Sequence, residues 1–384
     1  MPSQDTSPNP SAAYASRSAD DTAAREYPLT AWINRHRLAF IVPAMVTLVL
    51  GLYAGLQLLG LSAPWTTSRL AEMHGMLLVA GFLGTLISLE RAAAIGQLWG
   101  YLSPVGFGIG AVLLFPVPLL GYSGITMGAV VLLAIYVTVW RKQPAAAIAV
   151  QALGGVLILA AALLGWAGVS IFALIALLAG FPILTIAGER LELARVAAPR
   201  WSAQMLLVAL SLGLLLAATA TLVWPSLGFR LVGLVLLGLV AWLGYYDVAR
   251  HTVRSRGLPR YTAWCLLAGY VWLGVAGLIW LQMGQVSPGQ LAYDAVIHAV
   301  FLGFVISMIF AHAPIILPAV VRCRLPYRPV MYVPVIVLHV SLLVRIGVGD
   351  GLNVEGVRLI GAIGNVAAVL LFAAIVLISV RRRP

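Results

Sequence analysis

Apolar residues along this chain come in long blocks that are separated by short polar segments. Each block is roughly 18–25 residues long, which is the length of an α-helix that crosses a bilayer. Each block therefore predicts one transmembrane helix, and together they predict an all-α, polytopic membrane protein of twelve helices. The predicted spans are 39–61, 72–90, 101–121, 123–140, 145–165, 168–188, 203–224, 230–248, 261–283, 291–313, 329–347 and 357–380.

Composition points to the same class. Of the 384 residues, 62% are hydrophobic and only 9% are charged, and a soluble core of this size could not bury so much apolar surface. The net charge of +12 does not indicate nucleic-acid binding, because the basic residues lie between the apolar blocks and not on one face. Membrane lipid is therefore the expected surrounding, with no nucleic acid as partner.

The N-terminal segment differs from the rest. Residues 1–30 are polar and rich in Ser, Ala and Asp. They contain no short apolar core followed by a cleavage site, so we interpret them as a disordered cytoplasmic tail and not as a secretory signal. Residues 31–384 then form a single twelve-helix transmembrane domain.

The basic residues predict an orientation. With the N-terminus inside and twelve crossings, 20 of the 24 lysines and arginines fall on the inner side. Only Arg69, Arg230, Arg345 and Arg358 fall outside. Cytoplasmic loops carry such an excess of Lys and Arg. We therefore expect a bacterial-type inner-membrane protein with both termini in the cytoplasm.

A short motif recurs every four helices. A Gly-Phe pair, seven further residues and then a polar residue occur in the second, sixth and tenth spans. The three copies are Gly81-Phe82 with Glu90, Gly180-Phe181 with Glu189, and Gly303-Phe304 with His312. The spacing predicts three four-helix units about a pseudo-threefold axis. The alternative is chance, because Gly and Phe are common in membrane helices.

Three histidines lie at similar depth near the outer ends of apolar spans: His74, His298 and His339. At 1.5 Å per residue they are roughly 5–12 Å below the outer surface. Two imidazoles at one depth on different helices can hold a haem iron. His74 and His298 are the predicted pair and His339 the reserve, with Arg69 and Arg345 as partners for the haem propionates. The alternative is that each histidine only hydrogen-bonds a neighbouring helix.

A second group of ionisable residues is predicted near the inner surface. If the repeat is real, His312 lies near Glu90 and Glu189. Two carboxylates and an imidazole suit a transition metal or a proton relay. In the alternative interpretation the pairing is local: Glu90 pairs with Arg91 or another inner-surface arginine, and Glu189 pairs with Arg195.

These features resemble subunit I of the haem–copper oxidases. In that family, histidines on the second and tenth helices hold the low-spin haem, and the corresponding residues here are His74 and His298. The segments His74-Gly75-Met76 through Glu90-Arg91, His298-Ala299 through His312, and Leu338-His339 through Arg345 are more closely similar to the NnrS family. That resemblance implies haem, here haem b, together with copper and a link to nitric-oxide metabolism. The sixth and seventh spans contain no histidine, so a copper centre of the oxidase type is not expected.

Three functions therefore compete, and the sequence does not decide whether any of them is enzymatic. The first is a haem-binding redox or gas-responsive protein, linked to nitric oxide. The second is a proton-coupled secondary transporter that uses Glu90, Glu189 and His312; the four-helix period favours the first over this one. The third is an accessory subunit that docks another membrane subunit or a redox partner.

The orientation can be tested directly. A reporter that is active only in the periplasm, fused after Pro384, should be silent, because the C-terminal arginines are expected to stay inside. Reporter activity at this position would overturn the orientation and the depths assigned to the histidines.

Overall fold

The structure is a computed structural model that describes residues 37–61, 68–194, 200–321 and 323–382. The predicted tail over residues 1–30 lies outside these ranges. The described chain folds into long helices that are joined by short connections. These helices are α1 Ile41–Leu58, α2 His74–Ile95, α3 Leu98–Leu113, α4 Pro118–Lys142, α5 Ala146–Trp166, α6 Ile175–Leu193, α7 Trp201–Ala220, α8 Pro225–Tyr246, α9 Leu258–Met283, α10 Leu291–Val320, α11 Pro329–Asp350 and α12 Glu355–Ser379.

Ten of these helices in the described chain are long and apolar enough to cross a membrane. This confirms an all-helical, multi-pass membrane protein. The two others are α3, which is shorter, and α6, which carries three charged residues near its end. The count of twelve crossings, the repeat layout and the orientation stay predictions. One short antiparallel pairing, β1 Cys323–Arg324 with β2 Arg381–Arg382, joins the ends of α10 and α12.

Helix α6 lies inside the protein. Every residue from 175 to 188 is buried. Its neighbours include α5, α7, α2 and α10, and α2 also contacts α10 directly. The three helices that carry the Gly-Phe motif therefore meet one another, and protein surrounds α6 from residue 175 to residue 188.

Two of these central helices contain a π-helical segment. In α2 it covers Leu77–Gly84, between His74 and Glu90. In α10 it covers Ala299–Ile306, between His298 and His312. On an ideal α-helix, residues 16 positions apart would point about 160° away from each other. A π-helix turns less per residue, so these segments change the direction of the inner polar residue relative to the outer histidine. A third π-helical segment, Leu343–Asp350, follows His339 in α11.

Neighbouring helices approach closely where glycines face each other. A Cβ on Gly106 of α3 would lie 2.7 Å from the backbone of Gly124 and Gly128 in α4. A Cβ on Gly233 of α8 would lie 2.4 Å from the backbone nitrogen of Leu281 in α9. Because apolar burial does not drive helix association in lipid, such close backbone contact is a main source of stability.

The contact between α8 and α9 gives a matched pair of variants. Gly233→Ala should destabilise the protein by about 1–3 kcal/mol, because the added methyl group forces the two backbones apart. Gly244→Ala in the same helix should be neutral or slightly stabilising, because nothing lies within 4 Å of its Cβ position. Thermal unfolding in detergent measures both, and equal melting temperatures would contradict the close packing.

Candidate functional site

The imidazole of His74 is held by helix α1. Its Nδ1–H donates a hydrogen bond to the carbonyl oxygen of Gly51 at 2.7 Å. A Cβ on Gly55 would lie 2.8 Å from His74 Cε1, so a larger residue at position 55 would push against the imidazole ring. Within the described chain, the Nε2 atom of His74 makes no hydrogen bond.

His298 is held in the same way within α10. Its Nδ1–H donates to the carbonyl oxygen of Asp294 at 2.8 Å and lies 3.2 Å from the Asp294 carboxylate. Among the residues that the structure describes, its Nε2 is also free of hydrogen bonds. Metal-ligating histidines commonly donate one ring N–H to a carbonyl or carboxylate and leave the other nitrogen for the metal. His74 and His298, which we call the outer histidine pair, both have this arrangement.

The outer histidine pair shares one electrostatic environment. His298, Asp294 and Arg345 all lie close enough to His74 to interact with it electrostatically. Arg345, predicted as a propionate partner, is buried and donates two hydrogen bonds to Asp294, at 2.7 and 2.8 Å. Arg69 is exposed on the short helix Ser68–Glu72. The structure thus fixes Arg345 to the residue that orients His298 and leaves Arg69 at the surface.

His339 has different surroundings. The indole N–H of Trp272 donates to His339 Nδ1 at 3.0 Å, and His339 Nε2 lies 3.5 Å from Ser307 Oγ. Ser307 in turn donates to the carbonyl oxygen of Gly303. Both ring nitrogens of His339 therefore have protein partners, so this residue links α9, α10 and α11 and is poorly placed to be the reserve ligand.

Near the other end of α2, two glutamates meet on one arginine. Arg91 Nη2 donates to Glu90 Oε1 at 2.9 Å and to Glu189 Oε1 at 3.1 Å. The two carboxylate oxygens are therefore no more than 6.0 Å apart. Glu192, which is half exposed, lies 3.8 Å from the same guanidinium. The structure thus brings together Glu90 of α2 and Glu189 of α6. Arg195, the alternative partner of Glu189, lies outside the described residues.

His312 belongs to a neighbouring buried network. Its Nδ1–H donates to the carbonyl oxygen of Met308 at 2.7 Å, so its Nε2 is an acceptor. Arg190 of α6 donates to that Nε2 at 3.1 Å and donates two further bonds to Asp247, at 2.6 and 2.9 Å. Tyr270 of α9 also donates to Asp247, at 2.6 Å. The imidazole is therefore a neutral acceptor beside a guanidinium whose charge is already balanced.

Asp247 lies just after α8 and completes that network. Its carboxylate also accepts a hydrogen bond from the backbone N–H of Ala249 at 2.7 Å. Burial alone would raise the pKa of Asp247, but the hydrogen bonds from Arg190 outweigh burial and hold the pKa below its usual value. The ionised form of Asp247 is therefore the one that the fold retains.

All three residues of the predicted inner group face one cavity. Glu90, Glu189 and His312 are among its lining residues, and its volume is about 360 Å³. Most of the lining is apolar and comes from α1, α2, α6, α10 and α12. The cavity is thus an apolar space with ionisable groups in its wall.

The predicted metal site is not assembled as a ligand set. In the described part of the chain, no three His, Cys, Asp or Glu side chains are grouped so that they could hold a metal ion. The reason is local, because Arg91 lies between Glu90 and Glu189. In addition, Arg190 donates a hydrogen bond to the Nε2 atom of His312, so this nitrogen is not available to a metal.

Sequence reasoning missed several members of these sites. It did not single out Asp294, Asp247, Arg190 or Tyr270. Asp294 had a usable signal, because it is an acidic residue inside an apolar span and lies four residues before His298. Asp247 follows an apolar span directly, and its partner is 57 residues away, so local spacing gave no signal.

Comparison with protein families gives one match. Residues 37–381 match the family described as "Domain of unknown function (DUF8744)". The chain belongs to this family. The match covers all of the helices above, so the family shares the whole helical domain and not one part of it. Neither the curated proteins nor the solved structures contain a match.

Proposed function

We propose that this chain is a haem-binding integral membrane protein of redox or nitric-oxide metabolism, with one haem b held between α2 and α10. His74 and His298 are the axial ligands in this proposal. The main support for this proposal is that both members of the outer histidine pair make the same kind of hydrogen bond. Each ring donates its Nδ1–H to a carbonyl oxygen, at 2.7 and 2.8 Å. Within the described chain, each keeps its Nε2 free of hydrogen bonds.

The surroundings of the pair fit this role. A metal ligand must keep its ring direction, and hydrogen bonds to the second nitrogen do this while making the ligand more basic. For His298 the Asp294 carboxylate adds negative charge, and Arg345 holds that carboxylate in place. The residues that follow the two histidines, Gly75 and Ala299, have small side chains and would add little bulk beside a bound macrocycle.

A bound haem would supply a one-electron centre at this position. His74 and His298 would hold this haem, and a haem held by two histidines would supply electron transfer more readily than direct activation of a gas. The NnrS-like assignment, the twelve crossings in three units, and the inner-membrane orientation with both termini inside belong to the same proposal.

The histidine assignment makes a specific prediction. His74→Ala and His298→Ala should each insert normally but lose the haem absorption band, because one axial ligand is removed. His339→Ala and the surface variant His251→Ala should keep the band. The measurement is the reduced-minus-oxidised visible spectrum of the purified protein. Added imidazole should restore the band in His74→Gly, which a purely structural role would not produce.

Two results would contradict this assignment. Full haem retention in both His74→Ala and His298→Ala would refute it. If His339→Ala loses the band and His74→Ala keeps it, His339 and not His74 is the haem ligand.

The inner cavity favours a second candidate function, a proton-coupled transporter. Two carboxylates, Glu90 and Glu189, share the single guanidinium of Arg91. Arg190 interacts with Glu189 electrostatically but donates it no hydrogen bond, and Asp247 already balances the charge of Arg190. Counted over the described residues, the pair therefore carries an uncompensated negative charge in an apolar wall, a state that favours uptake of a proton.

This second candidate can be tested by infrared difference spectroscopy. One buried carboxyl group should give the carbonyl band of a protonated acid, because the shared charge favours a proton. Glu90→Gln or Glu189→Gln should remove the band, whereas Glu355→Gln, at an exposed residue outside the cavity lining, should leave it unchanged. A band that survives in both Glu90→Gln and Glu189→Gln would exclude these residues as the proton site.

A further inference from the structure

The central helices are linked by arginines in a repeated way. Arg91 of α2 follows Glu90 and donates to Glu189 of α6 at 3.1 Å. Arg190 of α6 follows Glu189 and donates to His312 of α10 at 3.1 Å. Each arginine therefore directly follows the polar residue of its own helix and contacts the polar residue of the next motif-bearing helix.

The third link is missing. The residue that follows His312 is Ala313, so α10 supplies no guanidinium to Glu90. Glu90 instead depends on its sequence neighbour Arg91, which it shares with Glu189. If all three links were present, the third cation would lie between α10 and Glu90.

The cavity includes this position. Ala313 and Glu90 both belong to its wall. Its volume of about 360 Å³ is in the range of sites that hold small organic ligands, which is roughly 300–1,000 Å³. Apart from Glu90, Thr185, Glu189, His312 and Cys323, its lining residues are apolar. A ligand here would therefore bury an apolar body and present one polar end.

The negative charge of the cavity wall determines which polar head group a ligand would need. In the described chain, Glu90 and Glu189 use only their Oε1 atoms in hydrogen bonds, and their Oε2 atoms remain available. A carboxylate in apolar surroundings accepts charge-assisted hydrogen bonds from a cation that carries N–H groups. A quaternary ammonium lacks such donors, and a neutral head group leaves the charge uncompensated.

We propose that this cavity binds an organic cation with an apolar body and a guanidinium or primary ammonium head, and that the head takes the place of the missing arginine beside Glu90 and Ala313. The inference rests on the second candidate role, because it uses the same uncompensated charge. It is independent of the haem proposal.

The test uses full-length protein in a non-ionic detergent and n-octylguanidinium as the probe, with binding measured by calorimetry. Glu90→Gln should weaken binding by roughly tenfold or more, because it removes a charge-assisted hydrogen bond. Ala313→Arg should also abolish binding, because it supplies the missing guanidinium from α10. Glu355→Gln, at an exposed residue outside the cavity lining, is the control and should bind like the unchanged protein.

Two ligand controls use the same apolar body. Octyltrimethylammonium has the charge without the donors, and 1-octanol has no charge, so both should bind at least tenfold more weakly than the probe. Equal binding of either compound would overturn the proposal, as would unchanged binding of the probe to Glu90→Gln. Should Ala313→Arg fail to fold, the Glu90→Gln result decides alone. The infrared band could be lost in Glu90→Gln while the unchanged protein fails to bind the probe. That combination would support the proton role and refute only the cation site.

Discussion

The pairing of buried charges is the constraint on which the centre of this protein depends. An ionisable side chain inside a membrane helix is costly unless another group compensates it. Arg91 and Arg190 provide this compensation across helices, the first from α2 to α6 and the second from α6 to α10 and Asp247. Because both partners of each link are largely buried, separating the helices would leave charges without partners. The two arginines thus fix how the three central helices meet.

The outer histidine pair depends on the same scaffold. α2 and α10 each carry an outer histidine and an inner polar residue, and a π-helical segment lies between the two in both helices. In α2, residues 74 and 90 would point about 160° apart on an ideal α-helix, so without that segment a helix that aims Glu90 at the inner group would turn His74 to another face. π-helical turns are often found at functional sites. Their occurrence at matching positions in α2 and α10 is a physical reason to treat the outer pair as one site.

Sequence patterns predicted the helical architecture because apolar block length responds directly to bilayer thickness. They also placed Glu90 and Glu189 at one level, since the Gly-Phe motif gave a common reference point, and the structure brings the two together. They could not show that Arg190 turns to Asp247, because the partners are distant in the chain and either could pair elsewhere. His339 shows a similar limit. Its depth matched that of His74, but side-chain direction and the nearby Trp272 determine its partners.

The buried charged residues differ in how completely they are paired. This difference distinguishes residues that stabilise the fold from residues that could bind a ligand or a proton. Arg190 and Asp247 satisfy each other fully, and Tyr270 and Ala249 complete the carboxylate's hydrogen bonds, so nothing remains for a ligand. Among the described residues around Glu90 the balance is incomplete, because Glu90 and Glu189 share the guanidinium of Arg91, Glu192 also lies 3.8 Å from it, and α10 offers Ala313 where the other central helices offer an arginine. An unbalanced charge in an apolar wall must attract a proton or a cation. The cavity at this position is therefore better explained as a binding site than as a packing defect.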